Sequence, residues 1–158
     1  MRRLLAMLLV MLLALSPAVG LSQQEVPDIQ MLAPEDIPPT PTGMHHYLLV
    51  CMDSWAARMS RLGYSDGMVL VTVDEVAGRI IATSFIRDML VMHPDDMPGR
   101  LTYIVKEYGV DALVDTINRH FGLQIEKYIL MDWSQVQSIV DAVGGVDLTV
   151  TDREAGYL

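Results

Sequence analysis

Between Leu48 and Met52 the chain is apolar without interruption, the signature of a strand covered on both faces. Two segments rich in β-branched residues follow, Val69–Val73 and Ile80–Phe85, and the short Asp74–Gly78 link between them predicts a hairpin. His93–Gly99 (HPDDMPG) is broken by two prolines and reads as a loop, and Leu101–Tyr108 as a short helix stopped at Gly109. From Val110 the apolar positions 110, 113, 114, 117 and 121 follow the helical period, with Asp111, Asp115, Asn118 and Arg119 on the other face, until Gly122. Lys127–Met131 predicts a strand. Asp132 is positioned to cap the next helix, with Gln135 at the reciprocal place of a capping box. Trp133, Val136, Ile139, Val140 and Val143 are its expected buried stripe, Gly144-Gly145 break it, and Val146–Val150 is the expected last strand. Strands alternating with helices after an initial hairpin define an α/β domain, a mixed β-sheet covered by helices in an α/β/α sandwich. No helix is predicted in Thr151–Leu158 to cover that edge, so the domain is expected to be incomplete at its C-terminus.

At the other end, Arg2 and Arg3 precede the apolar run Leu4–Leu15, and Ser16-Pro17 and the small residues Ala18-Val19-Gly20 follow it. Two readings fit residues 1–22: a cleaved secretory signal, or a retained anchor at the lower edge of the length that spans a bilayer. Both deliver the remainder outside the cytoplasm, because the positive end stays inside. Pro27, Pro34, Pro38, Pro39 and Pro41 make residues 23–44 an extended spacer, leaving 45–158 for one domain.

The formal charge is −9, and without residues 1–22 nine cations face 20 acids, which disfavours nucleic acid as a partner. Five of those cations (Arg58, Arg61, Arg79, Arg87 and Arg100) cluster beside acidic turns, an arrangement suited to an anionic ligand held together with a bound cation. Cys51 is the sole cysteine, which excludes an internal disulfide and a cysteine-based zinc site, and it reads as a small buried hydrophobe. His45 and His46, adjacent at a strand start, point to opposite faces and make poor co-ligands. His120 sits in the last turn of its helix, where a cation favours the dipole.

The candidate chemistry lies at strand ends. Asp53 follows the first strand and Asp66 precedes the second, so neighbouring strands would bring two carboxylates to one end of the sheet. Paired oxygen ligands with open positions suit Mg²⁺ or Mn²⁺, which keep waters and bridge to phosphate oxygens. Arg87, one strand further on, offers a fork of donors to a phosphate. A simpler reading of the same residues stays open: Asp53 as a helix cap, Ser65-Asp66-Gly67 as turn chemistry, and Arg87-Asp88 as a surface ion pair.

Four segments in order, YLLVCMDS, YSDGMVLVTVD, IIATSFIRD and VDAVGGVDLTV, together resemble the LytR–CpsA–Psr family over residues 45–150. That family's pattern is a strand ending G-[TS]-D, an [RK]-S-D-[TS]-[ML] turn, an S-[IL]-P-R-D strand end and a helix closing in G-G-V. The resemblance implies a membrane-anchored, extracytoplasmic phosphotransferase of the cell envelope. Its expected partners are a polyprenyl-pyrophosphate-linked glycopolymer, a cell-wall acceptor such as peptidoglycan, and the membrane, with Mg²⁺ (or Mn²⁺) as cofactor. By position it implies Asp53 and Asp66 as metal ligands, and Asp66 and Arg87 as catalytic residues, with Arg87 also on the pyrophosphate. Tyr64 stands where the family usually has an arginine, which makes Arg58 and Arg61 the candidate substitutes on the substrate. Cys51-Met52 replaces the small pair, and Ile86 replaces the proline before Arg87. The family's later arginine-rich segment would fall beyond Leu158. A module that binds polyprenyl pyrophosphate without transferring it is the alternative function, and a secreted structural domain the third.

Overall fold

The structure, a computed structural model, describes residues 29–53 and 63–157. The leader and Arg58 and Arg61 lie outside them. The strands are β1 (Met44–Met52), β2 (Ser65–Asp74), β3 (Arg79–Phe85), β4 (Leu90–Met92), β5 (Pro98–Arg100) and β6 (Lys127–Met131). The helices are α1 (Tyr103–Tyr108), α2 (Val110–Phe121), α3 (Trp133–Ala142) and α4 (Asp152–Ala155), with one 3₁₀ turn at Pro34–Asp36. Four strands form one sheet in the order β3-β2-β1-β6, and β4 and β5 form a separate pair. β1 runs antiparallel to β2 and parallel to β6, and β2 runs antiparallel to β3, so the sheet is mixed and the chain is α/β.

One face of this sheet makes the core. Leu48, Val50 and Met52 of β1 and Met68 and Leu70 of β2 alternate inward and join Ile104, Val105, Leu113 and Ile117 of α1 and α2 in a single buried cluster. The opposite face of β1 is only half-buried, a correction to the expectation of coverage on both sides, and on β3 everything before Phe85 is exposed. Cys51 lies on that half-buried face, where burial pushes its thiol up and keeps it a poor nucleophile. Polar pairs finish the core at the far end: His46 Nδ1 meets Thr72 Oγ1 at 2.9 Å, and Asp74 accepts hydrogen bonds from Ala77 N–H and Arg79 Nε.

Five details extend or correct the sequence reading. The HPDDMPG stretch is the turn of the β4–β5 hairpin, with Pro98 opening β5, where a strand tolerates a residue without an N–H. His120 is tied into the fold by both ring nitrogens: Nε2 accepts from Met92 N–H at 3.0 Å and Nδ1 lies 2.8 Å from the Thr116 carbonyl oxygen. The segment before β1 is tied to the end of α2: Leu32 N–H donates to the Arg119 carbonyl at 3.0 Å, and Arg119 Nε donates to the Leu32 carbonyl at 2.9 Å. Val146–Val150 forms no strand, since it has no ladder partner among the described residues, and α4 follows it behind a Thr151–Glu154 capping box. The α3 stripe is amphipathic but not buried: Val136 and Val140 are half-covered, while Trp133, Ile139 and Val143 are exposed. Periodicity shows which face is apolar and leaves open what will cover it.

The capping box of α3 formed as expected. The Asp132 carboxylate accepts from Ser134 Oγ and from Gln135 N–H, and these bonds hold its pKa below the usual carboxylate range. A depressed folded pKa contributes stability that is present above the unfolded value, about 4, and is lost as pH falls through the folded one. Asp132→Ala is therefore expected to lower stability by about 1 kcal/mol at neutral pH. The gap from wild type should narrow as the pH falls below about 4, which urea titrations at a series of pH values would read.

Candidate functional site

The site begins with an irregularity in the β1–β2 hairpin. Strict alternation would place Asp66 on the same face as Met68 and Leu70, inside the core. The ladder instead pairs Cys51 with Gly67 and Met52 with Ser65, leaving Asp66 as the extra residue of a β-bulge. Ser65 takes the buried position and Asp66 turns outward, the re-aiming that bulges commonly provide beside functional sites. Gly67 allows the close approach this needs, since a Cβ there would stand 3.2 Å from the Cys51 Cβ.

Asp53 sits one residue past β1. Its N–H donates to the Tyr64 carbonyl at 3.0 Å and its Oδ1 accepts from Tyr64 N–H at 2.9 Å, which fixes the carboxylate against the strand that carries Asp66. Gly63 makes room for it: a Cβ at that position would lie 2.1 Å from Asp53 Oδ1. Gly63→Ala is therefore expected to swing the Asp53 side chain off the Tyr64 N–H, which faster hydrogen exchange of the Tyr64 amide would report. Circular dichroism of the variant should match wild type, separating a displaced carboxylate from a damaged fold.

Arg87 leaves β3 two residues after Phe85, and its carbonyl accepts from Thr102 N–H at 2.9 Å, tying it to the start of α1. Its Nη1 donates to Asp66 Oδ1 at 2.7 Å, its Nε lies 3.7 Å from Asp88 Oδ2, and Arg100 Nη1 reaches Asp88 Oδ1 at 3.2 Å. The hydrogen bond to Asp66 first, then the charges of Asp66 and Asp88, raise the Arg87 pKa further above its ordinary value. These exposed pairs contribute little to stability; their effect is to hold the guanidinium in one place.

Asp53, Tyr64, Asp66, Arg87, Asp88, Arg100, Thr102 and Tyr103 line one open cavity of about 260 Å³. Three of the residues singled out in the sequence, Asp53, Asp66 and Arg87, thus meet there, while Arg58 and Arg61 fall outside the described residues. Arg100, counted in the sequence only as one of a cluster of cations, also lines the cavity, and Lys106 stands behind its Tyr64 wall. Arg100 arrives on β5, part of a hairpin read as loop, and Lys106 bonds the Tyr64 hydroxyl from α1 at 2.5 Å. Beneath the cavity the buried Ser65 and Thr102 hydroxyls find no hydrogen-bond partner among the described residues.

Asp53 and Asp66 could supply two of the oxygen ligands of a hard divalent cation. Each of Asp53 and Asp66 uses Oδ1 in a hydrogen bond to a described residue, and two carboxylates supplemented by water and ligand oxygens suit Mg²⁺. Among the described residues no cluster of three or more His, Cys, Asp or Glu side chains could enclose a metal alone.

The sequence pattern of the LytR_cpsA_psr family matches residues 25–157, and the chain belongs to that family. Over 97 residues it is 30% identical to the polyisoprenyl-teichoic acid–peptidoglycan teichoic acid transferase TagV of Bacillus subtilis (strain 168), covering 60% of this chain and 25% of that protein. Over 104 residues it is 34% identical to the corresponding transferase TagU of Oceanobacillus iheyensis, covering 60% and 31%. Among solved structures it superposes on the LytR-CPS2A-psr family protein YwtF (TagT) with bound octaprenyl pyrophosphate lipid. That match has a TM-score of 0.61 and 22% identity, over 77% of this chain and 49% of that one. The chain thus spans about a quarter to a third of these two curated relatives' length.

Proposed function

We propose that the protein acts outside the cytoplasmic membrane in transferring a glycopolymer from a polyprenyl pyrophosphate carrier to a cell-wall acceptor such as peptidoglycan. The observation that carries this reading is the convergence of two carboxylates and an ion-paired arginine on one cavity. The family, the teichoic acid transferases among its relatives and the lipid pyrophosphate bound by a structural neighbour support it. In such a transfer the acceptor oxygen forms a bond to the glycan-bearing phosphorus, and the anhydride bond to the polyprenyl phosphate breaks. Arg87 would bind the pyrophosphate oxygens through its planar fork and steady the charge that builds on the departing phosphate. Asp66 orients Arg87 through their hydrogen bond. Asp53 and Asp66 would hold a Mg²⁺ (or Mn²⁺) ion, which neutralises phosphate charge when bound. Membrane attachment or secretion would come from the apolar leader; among the described residues no helix is long and apolar enough to cross a membrane.

Calorimetric titration of a short polyprenyl pyrophosphate into the full chain, with and without Mg²⁺ and beside Asp53→Ala, tests the reading. Binding should require the cation and be lost in the variant. Cation-independent binding that survives Asp53→Ala would overturn the metal assignment. Binding without product formation when acceptor is added would favour a holding module over a transferase.

A further inference from the structure

The β4–β5 hairpin brings Arg100 to the cavity wall, yet it is a pair of three-residue strands apart from the main sheet. Two strands alone hold together only marginally. A buried histidine supplies support. His93 follows β4 directly and is 6% exposed. Its N–H donates to the Met97 carbonyl at 2.9 Å and its carbonyl accepts from Asp96 N–H at 3.0 Å, which closes the turn. The bonds of His93 to Met97 and of Leu101 to Met89 make Leu90 and Arg100 a non-hydrogen-bonded pair, so the Arg100 carbonyl faces away from β4. The His93 ring crosses β5 to reach it, with Nε2 3.1 Å from the Arg100 carbonyl oxygen. A carbonyl can only accept, so Nε2 is the donor. Glycine at 99 makes the crossing possible: a Cβ there would stand 2.5 Å from Cε1 and Nε2 of the ring. Tyr108, the last residue of α1, meets the ring edge-on at 5.8 Å between centroids. The Tyr108 hydroxyl donates to the Asp95 carboxylate in the same turn, which holds the Asp95 pKa below its ordinary value.

We propose that His93 is a positioning residue for Arg100 and, through Arg100, for the chain of ion pairs along the cavity. Arg100 Nη1 reaches Asp88 Oδ1 at 3.2 Å, and Asp88 Oδ2 lies 3.7 Å from Arg87 Nε. Both arginines and Asp88 are half-exposed, so solvent screens these pairs and they do not by themselves fix where the long Arg100 side chain starts. The bond from His93 does, because it pins the Arg100 backbone at the carbonyl that the β4–β5 ladder leaves free. His93 itself lies outside the residues that line the cavity and acts only through Arg100. This rests on the pyrophosphate reading for its ligand, and on the hairpin geometry alone for the place of Arg100.

Side-chain NMR relaxation on the full chain reads the order of the Arg100 and Arg79 Nε–H groups. Arg79, bonded to Asp74 at the far end of the sheet, is the internal control. His93→Phe should loosen Arg100 and leave Arg79 as in wild type, and His93→Gln, which keeps a donor of similar reach, should restore the order. Gly99→Ala should loosen Arg100 as well, with the histidine still present, by pushing the ring off its bond. In calorimetric titrations of inorganic pyrophosphate with Mg²⁺, His93→Phe should weaken binding about tenfold, the size of one charge-assisted hydrogen bond. In an Arg100→Ala background it should weaken binding no further, since the two residues act as one unit. A His93→Phe variant that leaves Arg100 ordered, loosens Arg79 equally, or still weakens binding without Arg100 overturns the positioning role. Should His93→Phe not fold, Gly99→Ala decides by the same readouts. If Arg100 follows His93 but wild type binds no pyrophosphate, the pyrophosphate reading falls and the positioning role stands.

Discussion

Arg87→Ala is expected to weaken binding of a pyrophosphate-ended ligand about 100-fold or more while moving the unfolding midpoint hardly at all. The two halves of this expectation have separate causes. The Arg87 side chain is 53% exposed, so its ion pairs with Asp66 and Asp88 are screened by solvent and their loss costs the fold little. A guanidinium that meets a phosphate bidentately makes two charge-assisted hydrogen bonds. At roughly 1.5 kcal/mol each, these correspond to about two decades of affinity. Arg87→Lys tests the geometry: it keeps the charge but not the planar fork, and should recover only part of the loss. Titration of the ligand and a thermal melt on the same samples check both halves. A variant that melts well below wild type would mean that Arg87 acts through the structure instead.

Leu113→Ala should give the opposite pattern, a loss of about 2–5 kcal/mol of stability with binding intact wherever the variant remains folded. Leu113 is fully buried on α2, in the cluster that joins both helices to β1 and β2, and no part of it borders the cavity. The cost combines lost burial with the space left behind, because a close-packed interior relaxes only in part. For a domain of ordinary stability that is a large share of the total. Ile139→Ala on α3 is the control: this residue is 53% exposed and should change stability by less than about 0.5 kcal/mol. Urea unfolding of the three proteins would rank them.

That contrast between two aliphatic residues, both on a helical apolar stripe, marks how far the sequence could be read. Periodicity identified α2 and α3 equally well, because it reports the angular spacing of side chains. It carries no information on what lies opposite, so the burial of Leu113 and the exposure of Ile139 looked alike. β2 and β3 were legible from their β-branched runs, and the core of β1 from its unbroken apolar one. The β4–β5 hairpin was not, since its strands are three residues each and its turn is proline-rich. Arg100 was visible only as one of a cluster of cations, its place at the cavity hidden with that hairpin. Asp53, Asp66 and Arg87 could be proposed because each lies where a strand ends and backbone neighbours are few. The bond of Lys106 to the Tyr64 hydroxyl behind the cavity could not, since it depends on how α1 sits against a residue 42 positions away.

The bulge at Asp66 separates two demands that a regular hairpin would force to compete. In an unbroken ladder every residue serves either the core or the outer face by parity alone, so moving an acid outward would also turn its neighbours over. Here one supernumerary residue absorbs the conflict, and Met68 and Leu70 keep their inward places whatever side chain stands at 66. The position is therefore modular: its chemistry can be exchanged by substitution with the hairpin intact. A deletion at the same point would instead restore strict parity between Met52 and Ser65 and erase the outward-facing slot altogether.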